Sequence, residues 1–209
     1  MTKRDSILFD LDGTLWDAVK NITYIWNEGV KGRPEAEMLT EEKVRAIMGL
    51  TTKEIGQTLF PRATEKEQEE LMILCGEAEQ RLLPHIGGIL YPGLEETLKE
   101  LKRSVPLFIV SNCDQGYTEA FLPYHQLTDY FTDHLCYGDT GRAKAENIRA
   151  IVKKHRLRAP VYVGDTEKDY LSAREAGVDF IHAAYGFGRI SHTVTAIREI
   201  RELPLRIFG

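Results

Sequence analysis

The chain has 209 residues, of which 43% are apolar and 28% charged, and a net charge of -5. That length suits a main domain carrying an insert, and that composition describes an ordinary folded protein with enough apolar surface for a core, not a disordered one. The acidic balance and the lack of any basic run argue against a nucleic-acid partner, and no stretch has the length of a membrane span.

Met1-Thr2-Lys3-Arg4 leads straight into Ile7-Leu8-Phe9 with no secretory apolar segment, so the expected location is cytoplasmic. Ile7-Leu8-Phe9 reads as a short strand, and similar apolar runs recur at Leu107-Phe108-Ile109-Val110, Val161-Tyr162-Val163 and Phe180-Ile181-His182-Ala183. Such continuous runs suit strands buried on both faces of a parallel sheet. Amphipathic stretches predict helices over Gly93 to Arg103, Gln115 to Tyr124, Lys144 to His155, Glu167 to Ala176 and Ser191 to Arg201. Alternating strands and helices imply a doubly wound, Rossmann-like α/β fold.

The alternation lapses between Trp16 and Gly88, where the pattern is helical and no strand is evident. Asp17 to Val30 carries Val19, Ile22, Ile25, Trp26 and Val30 near helical spacing, and Thr40-Glu41-Glu42-Lys43 resembles a capped helix start. Thr64 to Leu83 predicts a further helix ended by Pro84, and Gly87-Gly88 with Pro92-Gly93 marks a return hinge. The expected organisation is a core of residues 1–15 and 89–209 with a smaller all-α insert, 16–88, placed after the first strand. The three cysteines, Cys75, Cys113 and Cys136, lack paired spacing and read as reduced thiols, with Cys113 a packing residue.

Asp10-Leu11-Asp12-Gly13-Thr14 follows the first strand, at the carboxyl edge where an open parallel sheet binds ligands. Two carboxylates separated by one residue leave an extended strand on the same side, so one can attack a reacting group while the other moves a proton; the competing reading is a plain Asp-Gly turn. Ser111-Asn112 offers a hydroxyl and N–H groups to phosphoryl oxygens, or merely caps a helix. Asp165 and Asp169 follow another strand, where the first can bind a cation and the second organise its surroundings, or both can serve as helix-capping acids. Lys144, opening a helix, is a long cation able to reach back to such a site, although a lone Lys there is usually solvated.

In that order, Asp10-Leu11-Asp12-Gly13-Thr14, Ser111, Lys144 and Val163-Gly164-Asp165 with Asp169 resemble the four motifs of the haloacid dehalogenase superfamily, and the helical insert resembles the C1 cap of its phosphoglycolate phosphatase-like branch. The third motif departs from the frequent Gly-Lys-Pro, reading Gly141-Arg142-Ala143-Lys144, so Arg142 is an alternative to Lys144. The resemblance implies a Mg²⁺-dependent phosphatase acting on a small phosphorylated metabolite. In it Asp10 is the nucleophile that becomes an aspartyl-phosphate, and Asp12 is the acid and base. Asp10, Asp165 and the Asp12 carbonyl hold the metal, Ser111, Asn112 and Lys144 bind the phosphoryl group, and Thr14 and Asp169 support them.

A sugar-phosphate mutase shares these motifs, and a non-enzymatic phospho-acceptor or binding module is the reading from another class. A carbon-halogen hydrolase needs no proton donor, so Asp12 argues against it. Phosphoglycolate is the substrate that the branch name suggests; for its carboxylate, Lys53 or Arg45 near the Gly49-Leu50-Thr51-Thr52 segment are candidates, with solvated surface charge the simpler alternative. Trp16 packs either at the hinge to the insert or in the core. No residue pattern specifies an oligomeric state.

Overall fold

In the computed structural model residues 4–209 are described; Met1 to Lys3, on which part of the expectation about the N-terminus falls, lie outside the described residues. The chain starts with β1 (Ser6–Phe9), buried along its whole length. Successive strand residues point to opposite faces. Ile7 and Phe9 accordingly join one apolar cluster, while Leu8 joins a second with Phe108, Val110 and Tyr162. Helices cover both faces, which is why the strand reads as an unbroken apolar run.

β2 (Trp16–Asp17) leads into the helices α1 (Val19–Gly29), α2 (Glu41–Ile47), α3 (Thr52–Leu59) and α4 (Glu65–Ile86). β3 (Ile89–Leu90) then returns antiparallel to β2, pairing Trp16 with Leu90 and Asp17 with Ile89. This two-stranded junction falls where the sequence predicts a hinge, but its strands are too short for any periodic signal, so β2 corrects the expectation of a wholly strandless stretch. α2 is capped by Thr40, whose hydroxyl accepts from the Lys43 N–H, and α4 by the Thr64 and Glu67 capping box. α4 also runs through Pro84, contrary to the predicted stop. In the last turn proline sacrifices a single hydrogen bond, and the helix ends instead at Gly87, with φ 53°.

α5 (Leu94–Leu101), β4 (Leu107–Ser111), α6 (Tyr117–Tyr124), β5 (Asp133–Cys136), α7 (Tyr137–Thr140) and α8 (Lys144–His155) follow. The chain closes with β6 (Pro160–Gly164), α9 (Glu167–Ala176), β7 (Asp179–Ala183), β8 (Thr195–Ile197) and α10 (Leu203–Phe208). The main sheet has six parallel strands in the order β5-β4-β1-β6-β7-β8, the expected doubly wound α/β arrangement. Its two edges depart from the sequence reading. β5 is only partly buried and carries Asp133 and His134, so it lacks an apolar run. The predicted helix over Ser191 to Arg201 is replaced by β8 and a short 3-10 turn at Ile200–Glu202. The β-branched Thr193, Val194, Thr195 and Ile197 favour extension, and pairing with β7 satisfies the backbone on one side.

Candidate active site

Strand register decides which residues meet. Phe9 lies beside Ile109 on β4 and Val163 on β6, so the segments beyond these residues leave the sheet at the same edge. β1 is also where the strand order reverses: the chain fills β4 and β5 on one side, then crosses to β6, β7 and β8 on the other. Ligands bind at such a switch point. Asp10, Ser111 and Asp165 emerge there, and all three are buried.

Lys144, the first residue of α8, is also buried, and its Nζ donates to Asp10 Oδ1 at 2.9 Å and to Asp169 Oδ1 at 2.6 Å. Arg142 is exposed, so Lys144 is the cation beside Asp10. Burial and the Asp169 charge raise the Asp10 carboxyl above the usual carboxylate range despite Lys144. Asp169 is fully committed: its other oxygen, Oδ2, accepts from the Thr166 N–H at 2.9 Å and the Thr166 hydroxyl at 2.6 Å.

Asp165 Oδ2 accepts the N–H groups of Phe187 at 2.7 Å and Gly188 at 3.2 Å, whereas its Oδ1 is buried with no hydrogen-bond partner among the described residues. Burial, Asp169 and Asp10 push its carboxyl up to about 8, against the pull of those two N–H groups. Oxygen atoms of Asp10, Asp165 and Asp169 all lie within 4.8 Å of one another. Three carboxylates against the single ammonium of Lys144 leave an excess of two negative charges when all are ionised. An all-oxygen donor set, an orphaned buried carboxylate oxygen and that charge excess fit a hard divalent cation such as Mg²⁺.

Asp12 turns away from this cluster. Its Oδ1 accepts from the Tyr117 hydroxyl at 2.9 Å and Trp16 Nε1 at 3.0 Å, and burial together with the Asp10 charge raises it to about 7. Trp16 is fully buried, so it serves at once in the core, at the β2 junction and as a partner of Asp12. Ser111 Oγ accepts from the Cys113 N–H at 3.4 Å, and the Asn112 amide donates to the Gly49 carbonyl of the insert at 2.9 Å. Thr14 is buried with its hydroxyl unpartnered among the described residues, and its carbonyl accepts from Tyr185 at 2.8 Å. Hydrogen bonding with Cys136 and burial hold the Cys113 thiol well above its usual range, as befits a packing residue.

Two loops wrap Asp165, the Gly13 loop of the first motif and the Gly186 loop, which was not singled out by sequence. Gly13 has φ 79°, and a Cβ there would meet Asp165 Oδ2 at 2.3 Å; a Cβ on Gly186 would meet Asp165 Cβ at 2.4 Å. The glycines thus wall in this carboxylate, and the Gly186-Phe187-Gly188 triplet just past β7 is the signal that could have marked the second wall. Gly13→Ala should cost on the order of 1–3 kcal/mol in a denaturant titration, because it both strains the backbone and displaces Asp165.

The insert closes over the site. Thr52 of α3 donates to Asp114 at 2.5 Å, and Glu54 pairs with Lys168 across the same gap. Beneath lies a small chamber of about 50 Å³, lined by Asp10, Asp12 and Ser111 on the core side and by Trp26, Met72 and Glu79 on the insert side. Tyr117, Trp26 and Glu79 carry no motif and were missed by sequence. Lys53 and Arg45 stay outside: Lys53 pairs with Glu65 at 2.9 Å, and Arg45 with Asp17 at 3.3 Å while stacking 4.9 Å from the Phe187 ring centroid.

The family model of haloacid dehalogenase-like hydrolases matches residues 7–183. A phosphoglycolate phosphatase of Vibrio vulnificus is 30% identical over 196 residues, covering 87% of this chain and 84% of the relative. One from Rhodobacter capsulatus is 28% identical over 188 residues, covering 87% and 85%. Among solved structures, a haloacid dehalogenase-like hydrolase from Streptococcus pneumoniae superposes with a TM-score of 0.83 at 23% identity, covering 99% of each chain. The chain therefore belongs to the haloacid dehalogenase-like hydrolases.

Proposed function

We propose that this protein is a Mg²⁺-dependent phosphoric monoester hydrolase that acts on a small phosphorylated metabolite through an aspartyl-phosphate at Asp10. The observation that carries the reading is the buried group of Asp10, Asp165 and Asp169 around Lys144, with its two uncompensated negative charges and orphaned Asp165 oxygen. The names of the curated relatives support the same activity. Asp10 and Asp165, with the Asp12 carbonyl, would hold the cation, which when bound supplies charge neutralisation for the phosphoryl oxygens. Without that compensation a phosphate approaching to about 4 Å from a carboxylate meets roughly 4 kcal/mol of repulsion per unit charge pair at an effective dielectric of about 20.

The remaining steps belong to the chain itself. Lys144, fixed by Asp10 and Asp169, screens the approach of the phosphoryl group, while the Ser111 hydroxyl and the Asn112 N–H bind its oxygens. A carboxylate oxygen of Asp10 forms a bond to phosphorus as the bond to the leaving alcohol oxygen breaks, and Asp12 gives that oxygen its proton. Asp12, now ionised, takes a proton from the water that attacks the phosphoryl-aspartate, releasing phosphate and restoring both carboxyls. Tyr117 and Trp16 hold Asp12 in place for both transfers. Residues 16–88 act as the cap that shuts water out during the first step. The setting is cytoplasmic, consistent with three free cysteines and with no helix among the described residues long and apolar enough to cross a membrane.

Phosphate release from p-nitrophenyl phosphate with Mg²⁺, and with EDTA in its place, tests the reading: release should require the metal, and no release in either condition would refute it. Asp12→Asn should separate the two chemical roles. An alkyl phosphate, whose leaving group needs a proton, should slow by about 10²–10⁴, whereas p-nitrophenyl phosphate, with its stable phenolate, should slow much less. For the alkyl ester the first step needs Asp12 protonated, so its rate should fall as pH rises through about 7, and the fall should be absent in the variant.

A further inference from the structure

Glu79 lies on α4 and is 9% exposed, yet it belongs to no motif and plays no part in the steps above. Its Oε1 accepts from Trp26 Nε1 at 2.5 Å, and among the described residues that is its only hydrogen bond, so Oε2 has no protein partner. It lines the chamber from the insert side, opposite Asp12 and Tyr117. Burial pushes Glu79 up to about 8; the Trp26 hydrogen bond opposes this, and the Asp114 and Asp12 charges add to it. An acceptor for Trp26 alone would not require an ionisable group, and Glu79 stands on the wall of the reaction chamber with only one of its two oxygens engaged.

The rest of the wall limits what that ligand can be. Ile22, Ile47, Leu50, Ile55 and Met72 make it largely apolar, and its charged residues are Asp10, Asp12, Glu79 and Asp114, all acidic. Arg45 and Lys53 of the insert and Lys168 of the core are paired elsewhere, with Asp17, Glu65 and Glu54. A carboxylate on the leaving group would therefore enter a space with acids on several sides and no cation to receive it. A hydroxyl suits the same space, since it donates to an ionised Glu79 and accepts from a protonated one. The chamber, about 50 Å³, favours a small leaving group over a bulky one.

We infer that Glu79 is a specificity residue that hydrogen-bonds a hydroxyl on the leaving alcohol, so that this enzyme prefers phosphomonoesters of small neutral polyols to carboxylated ones such as phosphoglycolate. The inference rests on the phosphatase reading and narrows its substrate class.

The test compares kcat/KM for glycerol 1-phosphate and 2-phosphoglycolate with Mg²⁺ in the wild-type protein, Glu79→Gln and Glu79→Leu. Taking the ratio on one preparation cancels any loss of folded protein. The wild type should favour glycerol 1-phosphate by about 10-fold or more, the scale of one hydrogen bond to a charged group. Glu79→Gln keeps the size and the acceptor for Trp26 but loses the charge that the carboxyl carries above about pH 8, so in assays run at pH 9 it should cut the ratio at least about fivefold by admitting the carboxylate. Glu79→Leu should cut it further by removing the partner of the hydroxyl. A smaller wild-type preference, or a smaller change in both variants, overturns the inference while leaving the phosphatase intact. Absence of phosphate release from these esters and from p-nitrophenyl phosphate would instead remove the phosphatase reading and this inference with it.

Discussion

Asp10→Asn should leave a folded protein with almost no phosphatase activity, kcat falling by about 10⁴–10⁶, the range seen when an enzyme loses its nucleophile. The substitution preserves shape and an oxygen able to accept from Lys144 Nζ at the 2.9 Å position, but an amide cannot form the acyl phosphate. It also relieves crowding among Asp10, Asp165 and Asp169, so thermal unfolding should change little or shift upward. Steady-state phosphate release paired with a melting curve reads both effects. A variant retaining a tenth of wild-type turnover would place the nucleophile elsewhere.

Lys144→Ala should damage stability as well as rate. Lys144 holds two buried carboxylates, at 2.9 and 2.6 Å, with 2% of its side chain exposed. Removing one partner of such a group leaves uncompensated buried charge and costs about 3–5 kcal/mol, which at about 2–4 °C per kcal/mol for a chain of this size lowers Tm by roughly 6–20 °C. The sign of the pH dependence follows from the same groups. Without the ammonium, the folded-state pKa of Asp10, already raised, rises further above its unfolded value. The folded variant then binds protons that the unfolded chain does not, so its stability falls as pH rises and its deficit should shrink between about pH 7 and pH 5. Urea titrations at the two pH values check this, and a deficit that grows on acidification would contradict it.

The strands nearest the site were legible because burial on both faces writes β1, β4 and β6 as apolar runs, and the half-buried β7 still carries one at Phe180-Ile181-His182-Ala183. The acids and Lys144 were legible because they stand at strand ends or a helix start, where register alone brings them together. The sheet edges were not, since β5 is half polar and β8 is a three-residue strand whose neighbouring charges imitate an amphipathic helix. Nor does Pro84 announce that it falls in a final turn, where a proline is tolerated. The substrate chamber was the least legible part. Tyr117 reaches Asp12 across 105 positions within the core, and Asn112 reaches Gly49 of the insert across 63, so the first contact exists only once the core has folded and the second only once the insert has docked on it. Lys53 and Arg45 illustrate the converse: each was a candidate for a substrate carboxylate beside the simpler reading of surface charge, and each has an acidic neighbour outside the chamber that claims it.

The central claim is that phosphorus becomes bonded to the side chain at position 10, and chemical trapping tests it most directly. The wild-type protein is mixed with Mg²⁺ and a phosphomonoester substrate, quenched in acid and reduced with borohydride, which converts an acyl phosphate on aspartate to homoserine. Peptide mapping by mass spectrometry should find homoserine at position 10 and nowhere else, dependent on substrate. Turnover without that conversion, or with the mark on another residue, would contradict the account.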